Sequence, residues 1–164
     1  MMPPRWMPCA LALACGLSGW SGEARAQCFG CSCSVSATPV SFGSYNPLDA
    51  TDDASTGTIT VNCGLPLISL GGSYTIDLSP GSSGSYAQRT LRQGASALNY
   101  NLYTSGAKNQ IWGDGTGGTN HIVGSIGFSL LYNSQNFQVY GWIPARQNVP
   151  AGVYQDAIIV TVTY

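Results

Sequence analysis

Apolar and polar side chains alternate along the last stretch of the chain, from Gly152 to Tyr164. The apolar residues occupy even-numbered positions, at Tyr154, Ile158, Val160, Val162 and Tyr164. Polar residues occupy odd-numbered positions, at Gln155, Thr161 and Thr163. Successive residues of a β-strand point to opposite faces, so this pattern predicts a half-buried strand. Terminal segments usually bury too little to offset the entropy of ordering them, and we therefore expect this strand to have a use.

Six further segments have the alternation or the apolar runs that are typical of short strands bounded by turn residues. They are Val35 to Phe42, Thr58 to Cys63, Tyr74 to Leu78, Leu98 to Tyr103, Ile122 to Tyr132 and Phe137 to Ile143. Pro39 predicts an edge or a bulge for the first of them. Gly43 to Thr56 is predicted as a surface loop, and Asn133 to Asn136 as the connection of a hairpin or of two adjacent strands. Seven strands without helical periodicity predict an all-β, Greek-key β-sandwich.

The composition suits one exported domain. A chain of 164 residues with 44% hydrophobic residues can form a packed core, while only 8% of its residues are charged. The first 26 residues contain an early cation, Arg5, an apolar run, and small residues ending at Ala26, which predicts a secretory signal peptide. The mature domain would then span residues 27–164. Ala12 to Cys15 offers the alternative of a lipoprotein signal.

Four cysteines remain after this predicted cleavage, at Cys28, Cys31, Cys33 and Cys63, and they permit three complete pairings. Export favours disulfides over zinc or a redox pair. We favour Cys33 with Cys63, because each cysteine lies at the edge of a predicted strand. Cys28 and Cys31 then form either a local disulfide or a redox pair, and the chain lacks the βαβ setting that the redox site expects.

Catalytic residues are scarce in the predicted mature chain. His121 is its one histidine, Glu is absent, and the carboxylates have no paired spacing for acid and base chemistry. Asp49, Asp52 and Asp53 lack the spacing of a calcium loop. The glycines of residues 112–119 are predicted to form a tight loop rather than a phosphate cradle. The sequence therefore predicts a protein that is not an enzyme and has no cofactor. After removal of Arg5, Arg25 and Glu23 with the signal, four of the 6 cations and six of the 7 anions remain, and this net charge of −2 leaves no basic patch for nucleic acid.

Several motifs, in one order, carry a family resemblance over Cys33 to Tyr164. They are C-S-V-S-A-T-P-V-S-F-G-S-Y at 33–45, G-T-I-T-V-N-C at 57–63, L-N-Y-N-L-Y at 98–103, W-G-D-G-T-G-G-T at 112–119, Y-G-W-I-P-A at 140–145 and V-P-A-G-V-Y-Q-D-A-I-I-V-T-V-T-Y at the end. The chain resembles the spore coat protein U domain family, whose members include pilin subunits of archaic chaperone-usher pili.

This resemblance implies an immunoglobulin-like sandwich that lacks its last strand and has a disulfide corresponding to Cys33 and Cys63. Ile158, Val160, Val162 and Tyr164 would then form one wall of an open groove. A periplasmic pilus chaperone would fill the groove, and a strand from another pilin subunit would replace it at the outer-membrane usher. The resemblance thus implies export through the periplasm to the cell surface, and a role in adhesion and biofilm formation.

The N-terminal segment departs from the pilin pattern. Only Q-C-F-G-C-S lies between the predicted cleavage site and Cys33, which is too short for a donor strand with four or five alternating apolar residues. This predicts a subunit that accepts a strand and donates none, as suits a tip or terminal position. Two alternatives are a self-contained carbohydrate- or surface-binding module that uses Trp112 and Trp142, and a structural protein of a protective coat.

Overall fold

A computed structural model describes residues 32–64, 72–126 and 133–164. The predicted signal peptide, Cys28 and Cys31 lie outside these residues. The described parts form eight strands: β1 (Ser32–Thr38), β2 (Asp53–Gly64), β3 (Gly72–Leu78), β4 (Arg89–Gln93), β5 (Ser96–Tyr103), β6 (Ile122–Ile126), β7 (Asn133–Ile143) and β8 (Val160–Thr163). A single 3₁₀ turn, Gly81–Ser83, precedes β4. Within the described ranges, no helix has the length and apolarity needed to cross a membrane.

The strands form two antiparallel sheets that pack face to face. One sheet has five strands in the order β1-β2-β7-β5-β4, and the other has three in the order β6-β3-β8. The fold is therefore the β-sandwich that the sequence pattern predicts, in the immunoglobulin-like form that the family resemblance implies. Its core combines the inward faces of both sheets, with Ile59 and Val139 from the larger sheet and Ile76 and Leu78 from the smaller one.

Two inward-facing glycines let the chain after β1 lie directly on the larger sheet. A Cβ atom on Gly141 of β7 would lie 2.6 Å from Val40 and 2.7 Å from Phe42. A Cβ atom on Gly57 of β2 would lie 2.7 Å from the carbonyl oxygen of Thr38. Only glycine leaves room for this approach. As a result, Val40 and Phe42 pack against the core although β1 has already ended.

The structure corrects several predicted strand boundaries and adds a strand. The first predicted strand, Val35 to Phe42, is β1, which begins at Ser32 and ends at Thr38. The predicted loop of residues 43–56 ends early, because β2 already begins at Asp53. Asn133 to Asn136 belong to β7, and β6 and β7 lie in different sheets, so the predicted hairpin is wrong. The sequence reasoning missed β4, because its R-T-L-R-Q sequence contains a single apolar residue. One of its arginines faces inward, against the usual alternation.

The predicted terminal strand is shorter than expected, because the segment before it crosses between the sheets. Gln155 exchanges backbone hydrogen bonds with Arg92 of β4, at 2.8 and 3.1 Å, whereas Val160 pairs with Leu78 of β3. β8 is therefore limited to Val160–Thr163. The predicted alternation of burial is present in this segment, because Ile158, Val160 and Val162 are half-buried and their odd-numbered neighbours are exposed.

Candidate functional site

An open groove runs between the outermost strands of the two sheets, β1 and β8. Each of these strands pairs with one neighbour only, β1 with β2 and β8 with β3, among the described residues. Ala37 and Thr38 of β1 and Val160 of β8 line the same cavity of about 300 Å³. The two strands thus face each other across a gap, and each presents one backbone edge that no described strand pairs with.

The wall formed by β1 turns apolar side chains toward the core but leaves them in contact with solvent. Val35 lies opposite Val61, and Ala37 opposite Ile59, so each pair points to the same face of the sheet. Val61 is 1% exposed, whereas Val35 is 40% exposed. A core-facing valine with this exposure indicates that the opposing layer is missing at this position.

The β8 wall contains the residues that the sequence predicted for the groove. Ile158 and Val160 line the same cavity as Ala37, and Val162 packs against the edge of the core. Tyr164 is 44% exposed, just beyond the end of β8. The structure therefore brings Ile158 and Val160 together at the cavity, with Val162 and Tyr164 farther along the same segment.

The sequence reasoning did not find the floor and the opposite wall of the groove. The floor includes Leu78, Leu91, Tyr100, Leu102 and Val139. The wall that faces β8 also includes Val40 and Phe42, which follow β1. These residues come from five separate stretches of the chain, and only the fold places them at one cavity. Their alternation marked them as core residues, but it contained no signal that the core was uncovered here.

A second cavity of about 670 Å³ continues the groove past the start of β8. Val40 and Phe42 line both cavities, and the second extends between the loop that contains Tyr45 and the segment from Val149 to Asp156. The hydroxyl of Tyr45 accepts a hydrogen bond from the backbone N–H of Gln147 at 2.7 Å and donates one to the carbonyl of Pro144 at 3.0 Å. These bonds fix the far end of the groove.

Among the described residues, Asp156 is the one acidic side chain that lines the groove. Its carboxylate accepts hydrogen bonds from the Tyr100 hydroxyl at 2.7 Å and from the backbone N–H of Ser82 at 2.9 Å. Burial, together with the bond to Asp156, holds the pKa of Tyr100 well above its usual value, so Tyr100 remains a neutral donor. Gly81 has a φ of 67°, and a Cβ atom there would collide with the carboxylate. The acidic group is thus held in place within a largely apolar groove.

A disulfide between Cys33 and Cys63 fastens the exposed edge strand. The two cysteines occupy directly paired positions of β1 and β2, with their Cα atoms 4.1 Å apart. Their sequence separation of 30 corresponds to a loop-closure stabilisation of about 3.5 to 4 kcal/mol in the chain-entropy model. The pairing agrees with the one that the sequence favoured.

Of the residues considered for catalysis, the structure brings His121 close to Asp77. His121 Nδ1 lies 3.4 Å from Asp77 Oδ1, and burial raises the pKa of Asp77. No group of three or more metal-binding side chains occurs within residues 32–64, 72–126 and 133–164. Asp52 instead binds Lys108 at 2.5 Å, and this hydrogen bond lowers the pKa of its carboxyl.

The glycine cluster forms a tight loop, as predicted. Gly115, Gly117 and Gly118 have φ values of 82°, 59° and 81°, which favour glycine. Trp112 is 0% exposed, and its indole N–H donates to the carbonyl of Ile76 at 2.9 Å. Trp112 is therefore a core residue, and its proposed role as an exposed stacking platform is wrong.

The fold and the groove define an immunoglobulin-like sandwich with two facing edge strands and uncovered core residues between them. The sequence model of the Spore Coat Protein U domain family matches residues 26–161. Protein U of Myxococcus xanthus is 33% identical over 136 residues, which cover 76% of this chain and 71% of that protein. The chain belongs to the Spore Coat Protein U domain family.

A similar fold occurs in a solved chaperone–subunit complex. The structure is that of the CsuC-CsuE chaperone-tip adhesion subunit pre-assembly complex from archaic chaperone-usher Csu pili of Acinetobacter baumannii. The TM-score is 0.56 at 21% sequence identity, and the match covers 82% of this chain. This chain spans 40% of the length of the matched chain. At this identity the likeness describes the fold.

Proposed function

We propose that this protein is an exported subunit of a chaperone-usher pilus or surface coat, and that it accepts a β-strand from a partner. The observation that carries the proposal is Val35, which faces the core on an unpaired strand edge and is 40% exposed. A strand laid between β1 and β8 would cover this side chain. It would also supply backbone partners for the free edges of both strands.

The apolar lining of the groove defines the chemistry of the incoming strand. Alternate residues of a donor would point toward Val35, Ala37, Ile158 and Val160, and the residues between them would face solvent. A donor with four or five aliphatic residues at these positions would gain on the order of 5 to 10 kcal/mol before ordering costs. The donor is therefore an extended segment with apolar residues at every second position.

An empty groove would be a hazard during export. Two unpaired strand edges beside exposed apolar side chains promote association between copies of a chain. A periplasmic chaperone that inserts a strand would prevent this association, and a strand from another subunit would replace it at the outer-membrane usher. Residues 1–26 would direct the export and be removed after Ala26, and the mature subunit would reach the cell surface.

The short segment between Ala26 and Cys33 supports a terminal position in the fibre. It contains two cysteines and a glycine, and it cannot provide four alternating apolar residues. Such a subunit accepts a strand but donates none, and at a tip it would act in adhesion and biofilm formation. Immunogold labelling of fibres assembled with donor-bearing subunits should mark their ends, and labelling along the shaft would contradict this position.

The groove is tested by producing the mature chain in a periplasm with and without the chaperone of the same organism. We expect the lone chain to self-associate. Co-expression with the chaperone, or addition of a synthetic peptide of alternating isoleucine and threonine, should yield a stable, soluble complex. A lone chain that is a stable monomer would overturn the proposal and would favour a self-contained binding module.

Two adjacent positions provide a matched pair of variants. Val160→Asp places a carboxylate in the groove, whereas Thr161→Asp places one on the exposed outer face of β8. We expect the Val160 variant to weaken donor-peptide binding at least about a hundredfold, because the carboxylate would lose its water in the filled groove. The Thr161 variant should bind almost normally. Equal binding by both variants would contradict strand insertion at this site.

A further inference from the structure

A third cavity, a small cleft, opens on the outer face of the five-stranded sheet, and Tyr100 lines both this cleft and the groove. It has a volume of about 130 Å³ and lies between the ends of β5 and β7 and the residues before β4. Tyr103 and Trp142 provide aromatic walls, and Gln88, Asn99, Asp52 and Lys108 surround them with polar groups. An aromatic surface ringed by a few polar groups is typical of small-ligand sites.

Trp142 is the centre of this cleft. Its neighbours Gly141 and Ile143 are buried in the core, and Trp142 therefore points outward and is half-buried. The ring of Tyr103 meets it edge-on, with centroids 6.0 Å apart, and Lys108 Nζ lies over one face of the indole, 5.0 Å from its centroid. These contacts hold the indole ring in one orientation while part of it stays accessible.

The charged groups beside Trp142 form an ion pair and neutralise each other. Asp52 accepts hydrogen bonds from Lys108 at 2.5 Å and from the backbone N–H of Ala145 at 3.2 Å. Lys108 has a φ of 55°, a left-handed conformation that costs energy for a residue with a side chain. Backbone strain of this kind often accompanies binding sites. The ion pair gives the cleft no net charge, so it offers a charged ligand no net electrostatic attraction.

Two side-chain amides complete the polar rim. Within the described parts of the chain, no hydrogen bond engages the amide groups of Gln88 and Asn99, although the backbone of Asn99 is bound on both sides by Gln147. Each amide can both donate and accept a hydrogen bond. The cleft therefore presents amide donors and acceptors, a carboxylate acceptor and an ammonium donor around one aromatic surface.

We propose that this cleft binds a neutral pyranose unit of an oligosaccharide. The C–H face of such a ring is apolar and suits the face of the Trp142 indole that Lys108 does not cover, and its hydroxyl groups both donate and accept hydrogen bonds, as the rim requires. The volume of about 130 Å³ suits one ring of a longer chain. The site lies on the outer sheet face, and the groove opens between the inner faces, so both can be occupied at once.

The test uses the mature chain with its groove filled by the chaperone or by the donor peptide. If the chain proves to be a stable monomer, the proposal that it accepts a strand fails, and the same binding test is then made on the lone protein. Failure of one proposal can therefore be distinguished from failure of the other. Cellotetraose, chitotetraose and maltotetraose serve as probes. Their binding is measured by tryptophan emission and by saturation-transfer NMR. Trp112 is 0% exposed, and a change in iodide quenching therefore reports on Trp142 within the mature chain.

We expect at least one of these probes to bind saturably. Trp142→Ala should weaken this binding at least about tenfold. Tyr140→Ala is the matched control, because Tyr140 lies on the same sheet face but outside the cleft, and it should change binding less than about twofold. If Trp142→Ala fails to fold, Gln88→Ala and Asn99→Ala replace it, with an expected loss of about threefold or more each.

Two results would overturn the proposal. One is the absence of saturable binding by all three tetrasaccharides up to their solubility limits. The other is binding that Trp142→Ala, or the pair Gln88→Ala and Asn99→Ala, leaves unchanged while the melting temperature shows a folded protein.

Discussion

The two sides of the sandwich are completed in different ways. On the side of β4, Arg89 is 0% exposed and its guanidinium donates hydrogen bonds to the carbonyls of Ser79 and Trp112 and to the side chain of Asn101, at 2.7 to 3.1 Å. Asn101 in turn donates to the carbonyl of Tyr86 at 2.9 Å. This polar network closes the gap between the sheets with groups of the chain itself.

On the opposite side, no comparable network joins β1 to β8 within the described residues. Val35 and Ala37 face the core there and stay exposed, and the facing Val160 is only half-buried. Polar groups need specific partners, and the chain supplies them around Arg89. Apolar groups need only coverage, which any strand with the right alternation can supply. The comparison indicates why a partner would enter at the β1 side and not at the β4 side.

The largest expected effect comes from breaking the closed side. Arg89→Met should lower the free energy of unfolding by about 3 kcal/mol, because it leaves the buried acceptors of Ser79, Trp112 and Asn101 without a donor. Urea unfolding of the mature chain, at a fixed concentration of donor peptide, measures the change. Arg92→Met is the matched control, because Arg92 is an exposed arginine of the same strand and its side chain should matter little.

If both arginine variants lose the same stability, the polar network does not close this side. We expect only Arg89→Met to lower the free energy of unfolding, while the variant still binds the donor peptide. This result would show that the closed side stabilises the fold and that the open side binds the partner independently of it.

A smaller effect is expected from closing the open side artificially. Ala37→Leu adds apolar atoms at the cavity wall and should raise the stability of the lone chain by about 1 kcal/mol. The same side chain occupies space that a donor needs, so donor-peptide affinity should fall at least about tenfold. Ser36→Leu, on the exposed outer face of β1, is the control for thermal unfolding and peptide titration. An unchanged peptide affinity for Ala37→Leu would show that the donor does not enter this cavity.

The smallest expected effect concerns two carboxylates with opposite pKa shifts. Burial raises the pKa of Asp77 above 3.8, so its charged form is disfavoured in the folded state. The folded protein loses stability as the pH rises from the pKa that Asp77 has in the unfolded chain through the higher pKa that it has in the folded protein. Asp77→Asn should remove this loss of stability. The gain at neutral pH should be below about 1 kcal/mol, because the site is partly exposed.

Asp52 provides the contrast. Its hydrogen bond to Lys108 lowers its pKa below 3.8, so it stabilises the folded state above that pH and loses this effect as the pH falls through the folded value. Asp52→Asn should therefore lower stability at neutral pH, by a similarly small amount. Melting temperatures measured across acidic pH check both predictions. If both variants changed stability with the same sign, the opposite pKa shifts of Asp77 and Asp52 would be contradicted.

The sequence predicted the parts of the groove that a linear pattern can mark. Ile158, Val160 and Val162 alternate within one segment, and the structure places them along one edge of the core. Pro39 predicted an edge position, and β1 is an edge strand that ends at Thr38. The pattern could not show that Leu91, Tyr100 and Val139 meet these residues, because such contacts join positions far apart in the chain.

The fourth strand shows a different limit. β4 contains Arg89 facing inward, and local alternation treats an arginine as a surface residue. Its burial depends on acceptors contributed by Ser79, Trp112 and Asn101, which only the folded chain brings together. Trp112 was an accessible stacking residue only in the alternative interpretation as a binding module, and it lies buried in the same network, where its carbonyl accepts a hydrogen bond from Arg89.

By itself, the sequence determined the all-β architecture, the favoured pairing of Cys33 with Cys63 and the apolar face of the last segment. These features depend on period-two alternation and on residue types that act locally, so they can be recognised in one dimension. Only the tertiary structure decided that Gln155 pairs across to β4, that Arg89 is fully buried, and that Val35 stays exposed while facing the core. Each of these depends on which distant strands lie side by side, and therefore on packing that no local pattern contains.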